Sequence, residues 1–338
     1  MIGGRKVLVT GCNGLLGAWL CEALIQSGAA VVGLDREQRA GSRIRELTGK
    51  IDLVSGDIAD FELVLRVLNE FDIEFIYHLA AQAVVGPAAR NPLSTFRSNI
   101  QGTWNILEAA RTLRSNSPLL QGIIVASSDK AYGDQDNLPY REDAPMQGRF
   151  PYDVSKSCAD LIARSYYYSY NLPVCVTRCG NLYGAGDLNW SRIVPGTIMH
   201  VLRGERPIIR SDGTPVRDYL YVKDAVGAFL KLSERMFEDS STHGEAFNIS
   251  NETPVSVLEI VQEILELLAR TDLKPIIEAR SSLEIGRQYL SSAKIRSRIG
   301  WSPEYDLKRG LAETIEWYRV NLARQSAGQA EELAEHRV

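Results

Sequence analysis

The chain has 338 residues, of which 45% are hydrophobic and 24% are charged. This is the composition of an ordinary globular protein with room for one large or two interlocked domains. The net charge is −4 and the charges are spread along the chain, which argues against nucleic acid as a partner and against a polybasic membrane patch. No apolar run approaches the roughly 18 residues of a membrane span, so no membrane partner is expected.

The five cysteines and four histidines show no metal-ligand spacing. The sequence contains no C-x-x-C pair and no Cys/His cluster, so no metal is expected. We interpret the cysteines as reduced, mostly buried thiols of a cytoplasmic protein. The opening MIGGRKVLVTG runs straight into a predicted strand and does not have the pattern of a signal peptide.

Continuous apolar runs alternate with amphipathic helical stretches along the chain. The predicted strands cover 6–11, 30–35, 51–57, 75–81, 122–128, 173–181 and 246–250. The clearest predicted helices cover 14–28, 61–71 and 256–269. Because continuous apolar runs suit strands that are covered on both faces, this alternation predicts an α/β fold. We expect a doubly wound parallel sheet, the Rossmann type, with a smaller C-terminal α/β substrate lobe.

The segment VTGCNGLLG places Gly11, Gly14 and Gly17 between the first strand and the first helix. Glycines there let the backbone approach a pyrophosphate at the positive N-terminal end of the helix. Asp35 ends the second strand, where a carboxylate accepts hydrogen bonds from adenine-ribose hydroxyls and repels a 2′-phosphate. The pattern therefore favours NAD over NADP as cofactor, although the neighbouring Arg36 could hold a 2′-phosphate.

Asp57 and Ile58 follow the third strand and are predicted to lie near the adenine of the cofactor. We predict that 1–180, together with about 222–250, forms the NAD-binding domain. Residues 181–221 and 251–322 then form the substrate lobe. The polar segment 323–338 is expected to be a flexible, frayed tail.

The segment YDVSK places Tyr152 and Lys156 on the same face of a helix, at positions i and i+4. An ammonium group near a phenol lowers the pKa of the phenol, so Tyr152 is a candidate general base for a sugar or alcohol hydroxyl. Ser128, or alternatively Ser127, stands at a strand end and could hydrogen-bond the same hydroxyl. The competing interpretation is an ordinary surface pair on a helix.

Asp129 and Lys130 stand side by side directly after Ser128, where a buried strand reaches the surface. They form either a solvated ion pair or a pair of proton-transfer groups, and the sequence alone leaves both interpretations open.

The glycine loop, HLAAQ, SNIQGTWNILEAAR, the Ser-Tyr-Lys set and VRDYLYVKDAV resemble the extended short-chain dehydrogenase/reductase family over about residues 5–320. SSDKAYG and GNLYGAGDLNWSRIVP are similar to its nucleotide-sugar 4,6-dehydratase branch, above all to CDP-glucose 4,6-dehydratases. The resemblance implies NAD as cofactor, with Ala80 beside it, and a nucleotide-diphosphate hexose as substrate. It also implies a homodimer built from helices around 99–112 and 152–170.

In this family Ser128, Tyr152 and Lys156 would serve oxidation at C4 of the hexose. Asp129 would then be the acid that protonates the departing 6-hydroxyl, and Lys130 the base at C5 or the group that stabilises the enolate.

Four residues are candidates for binding the nucleotide sugar, since arginines offer bidentate donors to a diphosphate. They are Asn181, Arg192, Arg217 and Arg287. CDP, dTDP, UDP and GDP remain possible nucleotides, in that order. The alternative functions are an NAD-dependent 4-epimerase of a UDP- or GDP-sugar and a non-catalytic NAD-binding protein.

Overall fold

The computed structural model describes residues 2–37, 41–116, 119–279 and 285–335. The first half alternates strands and helices, with boundaries close to the predicted ones. Its strands are β1 (Lys6–Thr10), β2 (Ala30–Asp35), β3 (Asp52–Ser55), β4 (Phe75–His78), β5 (Gly122–Ser128) and β6 (Val174–Cys179). Its helices are α1 (Leu15–Gln26), α2 (Phe61–Glu70), α3 (Val85–Arg90), α4 (Pro92–Phe96), α5 (Gly102–Asn116) and α6 (Pro151–Tyr170).

The described residues of the second half form shorter strands and five further helices. The strands are β7 (Asn181–Tyr183), β8 (Ile208–Ile209), β9 (Val216–Arg217), β10 (Tyr219–Tyr221), β11 (Ala246–Ile249), β12 (Val255–Ser256), β13 (Ile276–Ile277) and β14 (Arg287–Gln288). The helices are α7 (Ile193–Leu202), α8 (Val222–Glu238), α9 (Val257–Leu267), α10 (Ala293–Ile299) and α11 (Leu307–Glu335).

Seven strands form one sheet in the order β3-β2-β1-β4-β5-β6-β11. All neighbouring pairs are parallel, which confirms the predicted doubly wound sheet. The strand order reverses between β1 and β4, so a crevice lies at their carboxyl ends, where such sheets bind ligands. The strand β11 enters this sheet from the second half of the chain. The domain boundaries themselves stay a prediction.

Two hydrophobic clusters cover the two faces of the sheet. Val7 and Val9 of β1 pack in one cluster with residues of α1 and α8. Leu8 packs in the other cluster, with residues of α2, α5 and α6. Because successive strand residues point to opposite faces, burial on both faces makes the whole run apolar. This is the physical reason for the continuous apolar runs in the sequence.

The predicted strand over 173–181 is divided in the structure. β6 ends at Cys179, and the backbone N–H of Gly180 donates to Ile249 O at 3.1 Å. Asn181 begins β7, which pairs with β10 outside the main sheet. The other short strands form the groups β12-β9-β14 and β13-β8. The smaller lobe is therefore held by several two- and three-stranded ladders.

Helix α11 runs through Glu335, whereas the sequence predicted a flexible tail over 323–338. The tail is rich in Ala, Glu and Gln, which are good helix formers and extend the helix. Residues 336–338 lie outside the described part of the chain, and the flexibility of the segment stays a prediction. Among the described residues, no helix combines the length and apolar character that crossing a membrane requires.

Candidate active site

The glycine loop after β1 is a tight turn that only small residues permit. Gly11 has a positive φ of 74°, and a Cβ added there would lie 2.8 Å from the Cα of Ala80. A Cβ added to Gly17 would lie 2.2 Å from the carbonyl oxygen of Gly11. Gly14 is the N-cap of α1. The turn thus leads the backbone directly to the N-terminus of a helix, which is the geometry that binds a pyrophosphate.

Asp35 lies at the end of β2, beside the glycine loop. Its carboxylate accepts the backbone N–H of Asn13 at 3.0 Å and that of Arg36 at 2.8 Å. Burial, with a smaller contribution from the charge of Asp35, raises the pKa of the nearby Cys12 thiol to about 12. Each carboxylate oxygen keeps a further lone pair, so Asp35 has acceptors left for ribose hydroxyls. The loop and this acid together fit a dinucleotide such as NAD.

The two residues expected near the adenine differ in their surroundings. Asp57 accepts the backbone N–H of Ala59 at 2.9 Å, and its side chain therefore shapes the loop after β3. The Ile58 side chain is buried in the core against α5, where a Cβ on Gly102 would lie 2.3 Å from Ile58 Cδ1. A contact of either residue with adenine stays a prediction.

The structure brings Ser128, Tyr152 and Lys156 together at the carboxyl end of β5. Tyr152 and Lys156 are buried on the first turns of α6, and the Ser128 side chain is close enough to Tyr152 to lower the pKa of its phenol. The Lys156 Nζ donates to the carbonyl oxygen of Ala126 at 2.7 Å. The Ser127 hydroxyl instead donates to the Lys156 carbonyl at 3.4 Å. Of the two candidate serines, Ser128 is therefore the one that faces Tyr152.

Burial is the largest cause of the pKa shifts of Tyr152 and Lys156. It raises the pKa of Tyr152 to about 12, although the Ser128 hydrogen bond and the charge of Arg192 lower it. The loss of solvent around the phenol thus outweighs the lowering of this pKa that was predicted from the neighbouring Lys156 ammonium. Burial also lowers the pKa of Lys156 to about 8.

Asp129 and Lys130 begin a 3-10 helix, Asp129–Tyr132, directly after β5. Ser128 caps it: its hydroxyl oxygen accepts the Lys130 backbone N–H at 3.3 Å, and its O–H donates to Asp129 Oδ1 at 2.9 Å. Asp129 is only 1% exposed, and its Oδ2 is a buried oxygen for which the described residues offer no hydrogen-bond partner. This buried setting argues against the solvated surface pair considered above. One carboxyl oxygen of Asp129 therefore takes part in no hydrogen bond among the described residues.

Two neighbours of this turn were missed in the sequence. Gln288 hydrogen-bonds both the backbone of Asp129 and the side chain of Lys130. Asp153 follows Tyr152 on α6, and burial raises the pKa of its carboxyl to about 6, while the charge of Lys130 lowers it. The only sequence signal for Asp153 was its place beside Tyr152, and Gln288 had none.

A buried ion pair between Arg178 and Asp160 contacts the 3-10 helix Asp129–Tyr132 through the Tyr132 hydroxyl. Arg178 of β6 donates to both carboxylate oxygens of Asp160 at 2.8 and 2.9 Å, and both side chains are 0% exposed. Arg178 also donates to the Tyr132 hydroxyl at 2.7 Å, and that hydroxyl donates to Asn248 Oδ1 at 2.7 Å. The network joins α6, the 3-10 helix, β6 and β11 around the end of β5.

Asn99 orients the start of α6. It lies in a π-helical turn, Arg97–Gln101, and its Oδ1 accepts the Gln82 backbone N–H at 2.7 Å. Its amide donates to Ser155 Oγ at 2.8 Å, and that hydroxyl donates to the Tyr152 carbonyl at 2.7 Å. The polar chain thus links the loop after β4 to the backbone of the candidate base.

Arg192 is the N-cap of α7, and Asn181 begins β7. The Arg192 Nη1 donates to Asp187 Oδ2 at 2.9 Å, and the charge of Arg192 lowers the pKa of Tyr152. The Asn181 backbone N–H donates to the Asp218 carbonyl at 2.8 Å, which leaves its side chain outside the ladder. Of these two, Arg192 is the one whose charge contributes to the pKa of Tyr152.

Arg217 and Arg287 lie on paired strands but differ in exposure. Arg217 on β9 is 3% exposed, and its Nη1 donates to the Val216 carbonyl at 2.8 Å. Arg287 on β14 is exposed, and its Nη2 lies 3.5 Å from the Tyr289 hydroxyl. The structure therefore places both in the smaller lobe, and their contact with a nucleotide stays a prediction.

Within the described ranges, no group of His, Cys, Asp and Glu side chains could hold a metal ion. His78 ends β4, with Nδ1 2.8 Å from Thr10 Oγ1 and Nε2 3.0 Å from Thr103 Oγ1. Burial lowers the pKa of His78 to about 3. It is a neutral packing residue behind the crevice.

The family model described as GDP-mannose 4,6 dehydratase matches residues 8–314. The chain belongs to this family. A dTDP-glucose 4,6-dehydratase of Xanthomonas campestris pv. campestris is 30% identical over 93% of both chains. A CDP-glucose 4,6-dehydratase of Salmonella typhimurium is 26% identical over 94% of this chain and 91% of its own. These relatives confirm the resemblance to the nucleotide-sugar 4,6-dehydratase branch.

Solved structures of both dehydratases and epimerases are similar to this chain. DesIV, a dTDP-glucose 4,6-dehydratase from Streptomyces venezuelae with NAD and TYD bound, has a TM-score of 0.84 and 25% identity, and the match covers 94% of this chain and 97% of DesIV. The UDP-glucose 4-epimerase of Thermotoga maritima with UDP-glucose has a TM-score of 0.86 and 27% identity, covering 94% and 99%. Overall shape therefore does not separate the two activities, and the side chains at the end of β5 have to do so.

Proposed function

We infer that the chain is an NAD-dependent nucleotide-sugar 4,6-dehydratase, a hydro-lyase. The observation that carries this inference is the Asp129–Lys130 pair, which directly follows Ser128, holds its carboxyl buried and its lysine half-buried, and faces the Tyr152–Lys156 helix. A 4-epimerase needs only the Ser-Tyr-Lys set, whereas removal of water needs a further acid and a further base. The product is a 4-keto-6-deoxy sugar, as in deoxysugar biosynthesis.

The first set of residues acts at C4 of the hexose. The glycine loop and Asp35 would hold NAD, which would supply the hydride acceptor for C4 and, once reduced, the hydride donor for C6. Tyr152 accepts the proton of the 4-hydroxyl, and Ser128, whose side chain lowers the pKa of Tyr152, positions that hydroxyl. Lys156, anchored on the Ala126 carbonyl, supplies donors to ribose hydroxyls from the same helix face. The positive charge of Arg192 offsets part of the burial penalty on the Tyr152 phenolate.

The second set removes water across C5 and C6. The 4-ketone acidifies the C5 proton. Lys130 either removes this proton as a base or, as a cation, stabilises the enolate that forms when the proton leaves. Asp129 donates its proton to the 6-hydroxyl, so the C6–O bond breaks and water leaves. A hydride at C6 and a proton at C5 then complete the product. The overall change is loss of one water with no net oxidation.

The proposed substrate is CDP-glucose, followed by dTDP-, UDP- and GDP-hexoses. The Salmonella relative and the SSDKAYG segment support CDP-glucose, and the Xanthomonas relative supports dTDP-glucose. We propose that Asn181, Arg192, Arg217 and Arg287 bind the nucleotide diphosphate. Mass spectrometry after incubation with the four nucleotide hexoses tests this: loss of 18 mass units, the mass of one water, identifies both activity and substrate.

The competing activity is 4-epimerisation, which the similarity to the Thermotoga epimerase favours. An epimerase leaves the substrate mass unchanged and inverts C4, which proton NMR of the product detects. Asp129→Asn separates the two: it removes the acid of the elimination but leaves an epimerase active. Binding of NAD with no turnover of any of the four hexoses would instead indicate a non-catalytic protein.

We also propose a homodimer that pairs α5 and α6 with the same helices of a second copy. Trp104 on α5 and Leu161 and Tyr168 on α6 are 44%, 54% and 68% exposed, and a twofold interface is self-complementary, so each apolar side chain gains an apolar neighbour. Light scattering should give twice the chain mass for the wild type and a smaller mass for Leu161→Glu. Ile277→Glu, at an exposed residue of β13, is the matched control.

A cytoplasmic location is part of the same proposal. All five cysteines are free thiols in the structure, which suits a reducing compartment. Subcellular fractionation of cells that express the protein without an added N-terminal tag tests this location.

A further inference from the structure

Gln288 is a fully buried residue of the smaller lobe that contacts the proposed acid–base pair. It lies on β14, which runs parallel to β9, and its backbone is paired with Arg217. Its neighbour Arg287 is exposed, while Gln288 itself is 0% exposed. Because successive strand residues point in opposite directions, β14 turns Gln288 inward and Arg287 outward.

Both ends of the Gln288 amide are used by the turn after β5. Its Nε2 donates to the Asp129 carbonyl oxygen at 3.0 Å, and its Oε1 accepts a hydrogen bond from Lys130 Nζ. A buried amide with both groups satisfied is a stiff link, since breaking either bond strands a polar group. The link fixes the backbone of the acid and the side chain of the base at once.

The chemistry of the amide suits a group that exchanges protons. A neutral amide oxygen accepts a hydrogen bond from Lys130 in either protonation state, whereas a carboxylate there would favour the ammonium form. The charged groups that already interact with Lys130 include Asp153. Gln288 thus orients Lys130 without adding a third carboxylate beside Asp129 and Asp153.

The same strand pair carries the proposed nucleotide-binding arginines. Arg217 Nη1 donates to the carbonyl oxygens of Val216 and Gly286, at 2.8 and 3.4 Å, so the guanidinium braces β9 against the residue before β14. Arg287 is joined to Gln288 by one peptide, and Arg217 is paired with Gln288 across the ladder, so a shift of either arginine on contact with a diphosphate would reach Gln288. The turn and the nucleotide site are therefore mechanically joined.

We propose that Gln288 is a positioning residue for the elimination of water: it holds the Asp129–Lys130 turn in place and ties that turn to the β9–β14 ladder. The proposal rests on the 4,6-dehydratase function. Gln288 takes no part in oxidation at C4, because it contacts neither Tyr152 nor Lys156 among the hydrogen bonds of the described residues.

The test separates the two half-reactions in Gln288→Met, which keeps the side-chain length and removes both hydrogen bonds. With NAD-loaded enzyme and either CDP-glucose or dTDP-glucose, absorbance at 340 nm should rise at the wild-type rate and then persist. Loss of water, measured by quenched-flow mass spectrometry, should slow by about 100-fold, the effect of misplacing a reacting group by about 1 Å. Deuterium uptake at C5 from heavy water should slow with it.

Trp301→Phe is the matched control, because it removes another buried donor to a backbone carbonyl, that of Asp224 at 3.1 Å. Its two half-reactions should keep the wild-type ratio. Gln288→Glu is the second variant if Gln288→Met does not fold: it keeps an acceptor for Lys130, loses the donor to Asp129, and should also slow only the elimination.

The proposed role of Gln288 is wrong if the wild type removes water but the Gln288 variants slow both half-reactions equally or slow neither. If the wild type removes water from none of the four nucleotide hexoses, the proposed dehydratase function itself fails.

Discussion

Replacing Lys156 by Met should stabilise the protein at neutral pH while it abolishes turnover. Lys156 is 6% exposed, and burial lowers its pKa from 10.5 to about 8. One pKa unit corresponds to about 1.4 kcal/mol, so the charged lysine costs the folded state about 3 kcal/mol below pH 8. The lost hydrogen bond to the Ala126 carbonyl offsets about 1 kcal/mol of the gain. The free energy of unfolding of the variant should therefore be about 2 kcal/mol higher than that of the wild type at pH 7.

The pH dependence follows from the sign of the shift. Between the folded pKa of about 8 and the ordinary value of 10.5, the unfolded chain binds more protons at Lys156 than the folded chain does. The lysine penalty therefore fades as the pH rises through this window.

Urea unfolding of both proteins at pH 7 and pH 9.5 measures this, and the advantage of Lys156→Met should shrink by about 2 kcal/mol at the higher pH. The cysteine and tyrosine titrations are shared by both proteins and cancel in the difference. A variant that is less stable than the wild type at pH 7, or an advantage that is the same at both pH values, would refute the reasoning.

Three further predictions test other parts of the site. Asp129→Asn should keep the rise in absorbance at 340 nm but lose the 18-mass-unit change measured by mass spectrometry, and unimpaired water loss would remove Asp129 from the proposed acid role. Asp160→Asn should lower the free energy of unfolding in urea by about 3 kcal/mol, because the buried Arg178 charge loses its partner; a loss below about 1 kcal/mol would show that the buried pair contributes no more than a surface pair does. Gly17→Ala should abolish NAD binding in a fluorescence titration, since its Cβ would lie 2.2 Å from the Gly11 carbonyl oxygen, while Gly14→Ala, at 3.2 Å, should retain most of it. Equal affinities for these two variants would contradict the steric argument.

Much of the fold was predictable because its pattern is local. Strands buried on both faces must be apolar throughout, and this marks β1, β4 and β5 directly in the sequence. The division of 173–181 at Gly180 was missed, because it depends on hydrogen bonds to Ile249 and Asp218, which lie far along the chain. The helical continuation through Glu335 was missed because polarity was given more weight than helix propensity.

The candidate site was predictable where its members are close in sequence. Ser128, Asp129 and Lys130 are consecutive, and Tyr152 and Lys156 share one helical face. Gln288 was not predictable, since it lies 158 positions from Lys130 and no spacing rule connects them. The pKa of Tyr152 was predicted in the wrong direction, because burial is a tertiary property that neighbouring residues in the sequence do not reveal.

Strand β11 pairs with β6 but is synthesised much later than β6, and this affects the growing chain. Until residues 246–249 emerge from the ribosome, β6 is the edge of the sheet, and all six of its residues are buried in the finished protein. A nascent chain that ends near residue 180 therefore exposes an unpaired, aggregation-prone edge strand to other chains. Splitting the gene at that point should give an insoluble first fragment, whereas a fragment that extends through residue 250 can close its own sheet.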